Sequence, residues 1–516
     1  MDTPDEQSAA EPTPAEVVRS HVSTIARGSL LVFVGNIAGR FLRFLYTLAL
    51  TRSLGRELFG LFSLAFNVHR IGLQIARNGL PHAMVKFVSH HHALHDPGGK
   101  RAAVRAGVAV SLVSGAIMGG GLFMLAPWLA RDVYHRPELL LPLRILAVSV
   151  LVSPAAECLL SALQGVRDVA PMVIIDSLAV PLLLAGGSWV VVSAWRSPAA
   201  AAAVYSAVAG VLLLAAGVAV LRRVLRDTRG APTRSILRPL LLFALPLMVM
   251  ELSQFGIRGF DVVILGDLLP AADLGTYAGA MPIATLVGFG LVAVRVMFSP
   301  TISMLHARGR HEAMRQIVVL STAVGAIAGM VIFGLLFCFD EPMMRLLGRE
   351  FGQGAPALLV LSVGWLVNTA AGAVALLLVM TDRPWVVALD NIIFAVLLVA
   401  GMYLLVPGGG LLAAAGVAAF ANAGNNIVRT VRVRRIHGFW TWDATTVGMW
   451  AWFAAGMIAA VATRALWPST AGRFAAFALF GVTMLGSGVP LGRRSLAFMR
   501  RRGERPEVPP SGEGPS

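Results

Sequence analysis

Four arginines, Arg40, Arg43, Arg70 and Arg258, lie inside long apolar stretches of the sequence, and each belongs to a polar series with helical spacing. Asn36, Arg40, Arg43 and Thr47 follow one another at intervals of 4, 3 and 4 residues. Ser63, Asn67, Arg70, Gln74 and Arg77 repeat that rhythm, and Glu251, Gln254, Arg258 and Asp261 follow it at 3, 4 and 3. Residues three and four apart share one face of a helix, so each series is a polar ridge. A cation at the centre of a bilayer costs about 2.5–3.5 kcal/mol even on a lenient scale, so such ridges must face water or a counter-charge. The planar guanidinium fork binds phosphate in bidentate fashion. Four arginines against Glu251 and Asp261 leave a net charge suited to a diphosphate, and the expected site is a phosphate and head-group surface made of Arg40, Arg43, Arg70, Arg258, Asn36, Asn67, Gln74 and Gln254, with Arg295 as a further member. Glu251, Asp261, Asp176 and Asp390 are candidates for coupling to Na+ or H+; Glu157 is another carboxylate in an apolar segment.

Other chemistry has weaker support. The only lysines are Lys86 and Lys100, and neither stands in a Gly-Lys-Ser/Thr sequence, so there is no P-loop. Cys158 and Cys338 form no disulfide framework. His82, His90, His91, His92 and His95 fit no standard zinc spacing and read as a surface helix. His69 beside Arg70 has no identifiable catalytic partner. No catalytic residues, no metal ligands and no cofactor beyond a coupling cation are expected.

The elements that position the ridges follow from composition. Of 516 residues, 57% are apolar and 14% charged, against roughly 25% charged in a soluble protein. About 14 helical spans of about 20 residues would use nearly all of that apolar content. The fold class is therefore all-α, a polytopic membrane protein. The net charge of +16 is read as membrane topology rather than nucleic-acid binding. Bases concentrate in the even-numbered loops and in both tails, which predicts cytoplasmic termini. Residues 1–27 are expected to be a disordered cytoplasmic tail, 28–221 an N-terminal six-helix half and 222–238 a basic cytoplasmic linker. Residues 239–432 make a C-terminal six-helix half, 445–490 two additional helices and 491–516 a basic disordered tail.

An internal repeat supports two halves. Ser111, Gly115, Ala116, Ile117 and Gly119 recur as Ser321, Gly325, Ala326, Ile327 and Gly329. Leu151-Val152 recurs as Leu366-Val367, Asp176 as Asp390, and Phe59-Gly60 reads against Leu274-Gly275. These offsets run from 210 to 215, and at 215 Asn36 falls on Glu251 and Arg43 on Arg258. Parallel halves of this kind place a substrate site near the midplane, here a central cavity.

The segment from Leu48 to Ser63, LALTRSLGRELFGLFS, resembles the first loop and second-helix start of the polysaccharide-type flippases in the multidrug/oligosaccharidyl-lipid/polysaccharide exporter superfamily. Ala162-Leu163-Gln164-Gly165 is similar to that family's pattern after the fourth segment, and the resemblance covers roughly residues 25 to 440. It implies translocation of a polyprenyl-diphosphate-linked oligosaccharide across the cytoplasmic (inner) membrane by alternating access. That activity would serve cell-surface polysaccharide biosynthesis, for example of lipopolysaccharide O-antigen. It also implies that Arg40, Arg43, Arg70, Arg258 and Arg295 line the cavity. The partners implied are the bilayer, the lipid-linked glycan, and a glycan polymerase or glycosyltransferases, with no nucleic acid. Two alternatives stay open: a cation-coupled multidrug exporter of the same fold, and a membrane glycosyltransferase or polymerase.

Overall fold

A computed structural model describes residues 14–166, 168, 170–226 and 235–503, with side chains outside that description at 14–33, 36, 250, 253–258, 292–297, 299, 300 and 487–503. Every regular element among the described residues is helical. Among the described residues, ten helices are long and apolar enough to cross a membrane. One of them, Ile37–Ala93, has 57 residues. As a single straight helix it would be about 85 Å long, nearly three times the hydrocarbon thickness of about 30 Å. It is broken at Gly55 (φ 73°, ψ 178°), and Pro384–His437 is broken in the same way at Gly410 (φ 55°, ψ −143°). Both conformations are close to glycine-only, so the sequence itself sets where these helices end. The two breaks, with the shorter apolar helices Leu237–Val249 and Thr470–Gly486, bring the ten to fourteen segments, as the apolar count predicts.

The chain divides into two compact units, residues 1–252 and 253–516. The first contains α1 (Pro14–Arg77), α2 (Leu80–Ala93), α3 (Pro97–Trp128), α4 (Leu140–Gly165), α5 (Ala170–Trp195), α6 (Pro198–Arg223) and the start of α7 (Leu237–Gly259). Helix α4 is its centre, packed against α3, α6, α2 and α1. Met84, Val88, Cys158, Leu163 and Val220 form a core between these helices. Asp96 caps α3 through the Gly99 N–H at 2.9 Å, with Pro97 opening the helix. That hydrogen bond, helped by His91, holds the Asp96 carboxyl below its ordinary range. Ser197 and Pro198 open α6 in the same way.

Two boundaries differ from those expected. Helix α1 begins at Pro14, inside the expected tail, because Pro suits the first helical position and no Gly or Pro follows until Gly28. The break between units falls within α7 rather than in the 222–238 linker, of which residues 227–234 lie outside the described residues. The reason is local: Leu240 and Ala244 pack on Leu80 and Ala83 of α2, which binds the first turns of α7 into the first unit.

The second unit contains α8 (Asp261–Leu268), α9 (Ala271–Ala284), α10 (Phe289–Ala307), α11 (His311–Cys338), α12 (Asp340–Leu347), α13 (Ala355–Ala371), α14 (Val374–Met380), α15 (Pro384–His437), α16 (Ala444–Leu466) and α17 (Thr470–Gly503). Helix α13 packs on α11 and α15. The repeat has a structural counterpart: Gly119 of α3 lies against α4, and its match Gly329 of α11 lies against α13. The additional pair α16–α17 is fastened to the start of α12. Arg464 reaches Asp340 at 3.2 Å, and Arg473 reaches Glu341 at 2.9 Å.

Candidate functional site

The second polar ridge, on the part of α1 after Gly55, is held at a fixed rotation by a buried aromatic and polar lock. His69 is fully buried and hydrogen-bonded to Ser149 of α4 at 2.8 Å, while its ring contacts Phe66 and Tyr205 of α6. Ser114 of α3 donates to the Ala76 carbonyl at 2.7 Å. These contacts occupy one face of α1 and turn Asn67, Arg70, Gln74 and Arg77 along another.

Along that ridge each polar group hands on to the next. Asn67, buried, donates to the Ser63 carbonyl and accepts from Arg70 at 3.3 Å. Gln74, also buried, accepts from Arg77 at 3.1 Å and donates to Glu251 of α7 at 3.0 Å. Arg77 is clamped to Glu157 of α4 at 2.6 Å. His82 of α2 reaches the other oxygen of Glu251 at 3.1 Å. Pairing of this kind is what lets charge sit within an apolar bundle.

The first ridge lies on the part of α1 before Gly55. Gly39 meets α5 where a Cβ would be 2.6 Å from the Ser177 carbonyl oxygen, so only glycine allows this approach. The approach brings Arg43 to 3.6 Å from Asp176, with both side chains about half exposed. Asp176 sits in a π-helical turn, Val173–Ala179, a wide turn often found at functional positions. Arg40 is exposed beside Arg43 and makes no ion pair among the described residues. Glu157 lies within electrostatic range of both Asp176 and Glu251, and Tyr205 within range of Glu157, Arg77, Arg70 and Asp176. The first unit thus gathers Arg40, Arg43, Arg70 and Arg77 against Glu157, Asp176 and Glu251, an excess of positive charge among the described residues.

The remaining expected residues are placed differently. Asp261 is buried at the start of α8, where it accepts from the Val262 N–H and from the Tyr277 hydroxyl, each at 2.9 Å. Asp390 is buried on α15 and paired with Arg432 at 2.9 Å, next to Asn391, which accepts from Arg429 at 2.6 Å. Both belong to the second unit and are not among the α1 ridge residues. The side chains of Asn36, Gln254, Arg258 and Arg295 lie outside the described residues. The Arg77–Glu157 pair and His82 extend the site beyond the expected set. Arg77 was visible as the last member of its ridge, whereas Glu157 gives only the signal of a lone acid in an apolar segment.

Residues 25–306 match the family described as Polysaccharide biosynthesis protein, and residues 246–407 match MatE. A probable low-salt glycan biosynthesis flippase, Agl15 of Haloferax volcanii, is 24% identical over 417 residues, 78% of this chain and 82% of that protein. The lipid II flippase MurJ of Bacillus subtilis is 32% identical over 108 residues, which is 21% of this chain and 20% of that protein. Among solved structures, the inward closed form of the lipid II flippase MurJ aligns over 93% of this chain and 100% of its own, with a TM-score of 0.64 at 11% identity. An inward-facing multidrug resistance MATE family transporter of the MOP superfamily aligns over 77% of this chain and 94% of its own, with a TM-score of 0.61 at 18% identity. These two likenesses establish the fold.

Proposed function

Because the chain belongs to the polysaccharide biosynthesis protein family, within the multidrug/oligosaccharidyl-lipid/polysaccharide exporter superfamily, we propose that it is a flippase carrying a polyprenyl-diphosphate-linked oligosaccharide across the cytoplasmic (inner) membrane, with both termini cytoplasmic. The observation that carries this reading is the arginine-rich ridge of α1, in which, among the described residues, Arg40 makes no ion pair and Arg43 makes a long, half-exposed one to Asp176. A diphosphate offers Arg43 a closer, bidentate partner than Asp176 does. Binding then exchanges one pairing for another, and this supplies the differential affinity between states that alternating access requires. Asp176, once released, is the group we assign to coupling with H+ or Na+. Asn67 and Gln74 act as neutral hydrogen-bonding partners of the ridge. The bilayer keeps the polyprenyl chain, and the exported glycan passes to a polymerase or glycosyltransferase of cell-surface polysaccharide biosynthesis.

The test is glycan export in cells that depend on this protein. Arg40→Ala combined with Arg70→Ala is expected to abolish export while folded protein remains in the membrane, with the lipid-linked glycan accumulating undelivered. Normal export by that double variant would contradict the assignment. The MatE match over residues 246–407 favours one second reading, an exporter of cationic drugs. The excess of arginine over carboxylate in the first unit opposes it, because a cationic guest would be repelled.

A further inference from the structure

The second unit holds a cavity of about 460 Å³ lined by His311, Arg315, Arg434, His437, Trp440 and Trp442, together with Glu312. It lies where two spanning helices reach their ends, the first turns of α11 and the last turn of α15, beside the loop leading into α16. None of the α1 ridge residues lines it. Its volume is within the usual range for small-ligand pockets, about 300–1,000 Å³.

The lining has two faces. Arg315 and Arg434 supply the cationic face, with the His311 and His437 rings beside them. Glu312 is occupied within it, accepting from Arg315 at 2.8 Å and from Gln316 at 3.2 Å, and so holds Arg315 in place. Arg434 donates to the Gly438 carbonyl and lies 5.8 Å from the Trp440 ring, which leaves further N–H groups of its five-donor fork for a guest. Thr381 fixes His437 at 3.1 Å. The other face is aromatic. Trp440 and Trp442 lie nearly parallel, 6.5 Å apart at 11°, and both are partly exposed. Trp442 is anchored by its indole N–H to the Ala370 carbonyl at 2.6 Å.

From this arrangement we infer a binding site for the head group of an anionic phospholipid, with Arg315 and Arg434 on the phosphate and the Trp440–Trp442 pair against the glycerol and upper acyl region. Cationic groups alone would suit any phosphate. The indole pair at the ends of spanning helices points to a lipid, because tryptophan concentrates at the depth of lipid head groups. Each Arg near an anionic surface is worth about a fivefold change in affinity.

The purified full-length protein, examined by native mass spectrometry with phosphatidylglycerol and phosphatidylcholine, is expected to retain phosphatidylglycerol preferentially. Arg315→Gln with Arg434→Gln should reduce that preference by about 25-fold, the product of two such contributions. Arg315→Lys with Arg434→Lys keeps the charge and should retain most of the preference, which separates loss of a site from loss of folding. Binding of polyprenyl diphosphate is expected to be unchanged in both variants. Unaltered preference for phosphatidylglycerol in the glutamine variant would overturn the site. Displacement of phosphatidylglycerol by equimolar glycerol 3-phosphate would overturn the lipid and assign the pocket to a soluble phosphate.

Discussion

Arg77 shows how an intramembrane charge is tolerated: its guanidinium bridges Glu157 and Gln74, and Gln74 continues to Glu251. Removing it strands Glu157. Arg77→Ala is therefore expected to destabilise the protein by about 1.5–3 kcal/mol, the scale of a hydrogen bond to a charged group. Adding Glu157→Gln should recover part of that loss, because the orphaned carboxylate is then neutral. Thermal unfolding of the purified variants checks this, and equal melting temperatures for the single and double variants would contradict the pairing. The ridge was legible in the sequence because a helix repeats every 3.6 residues, so Arg70, Gln74 and Arg77 declare a shared face. Their partners were not legible. Glu157 stands 80 positions from Arg77, and nothing in local spacing says which acid a cation will meet. Asp261 illustrates the converse. Its place in the Glu251 series suggested a common ridge, but the helix breaks before it, and the carboxylate instead serves the start of α8 and Tyr277.

At the scale of elements, glycines decide where the chain stops being one helix. Gly410 has φ 55° and ψ −143°, and a Cβ built there meets nothing within 4 Å. The cost of Gly410→Ala is thus backbone strain alone, about 1–3 kcal/mol. Gly408 has equally open surroundings without the positive φ, so Gly408→Ala should leave stability unchanged or slightly raised. A melting comparison of the two variants is diagnostic, and equal destabilisation would contradict the helix break. The number of segments was readable from apolar length. The π-helical turns of α5, including the one that holds Asp176, were not, since widening a helix by one residue leaves the hydropathy pattern almost unchanged. The extent of the first unit was hidden for a related reason. A basic linker marks charge, whereas the division between units is set by the packing of Leu240 and Ala244 on α2.

For the molecule as a whole, an all-helical chain with two units of repeated helix packing and family membership over residues 25–306 supports the flippase reading from three separate directions. The charge bias of the loops predicts that a reporter fused near Asp267 lies outside the cytoplasm and one near Arg435 lies within it. Finding both on one side would overturn the order of spans. The proposed function stands on recognition of a lipid diphosphate by the α1 arginines. Native mass spectrometry of the purified protein with polyprenyl diphosphate, polyprenyl monophosphate and a cationic dye, before and after Arg40→Ala and Arg70→Ala, tests it most directly. Selective retention of the diphosphate by the native chain, and its loss in the double variant, are the expected results. Dye binding with no preference for the diphosphate, or diphosphate binding untouched by the two substitutions, would contradict that recognition.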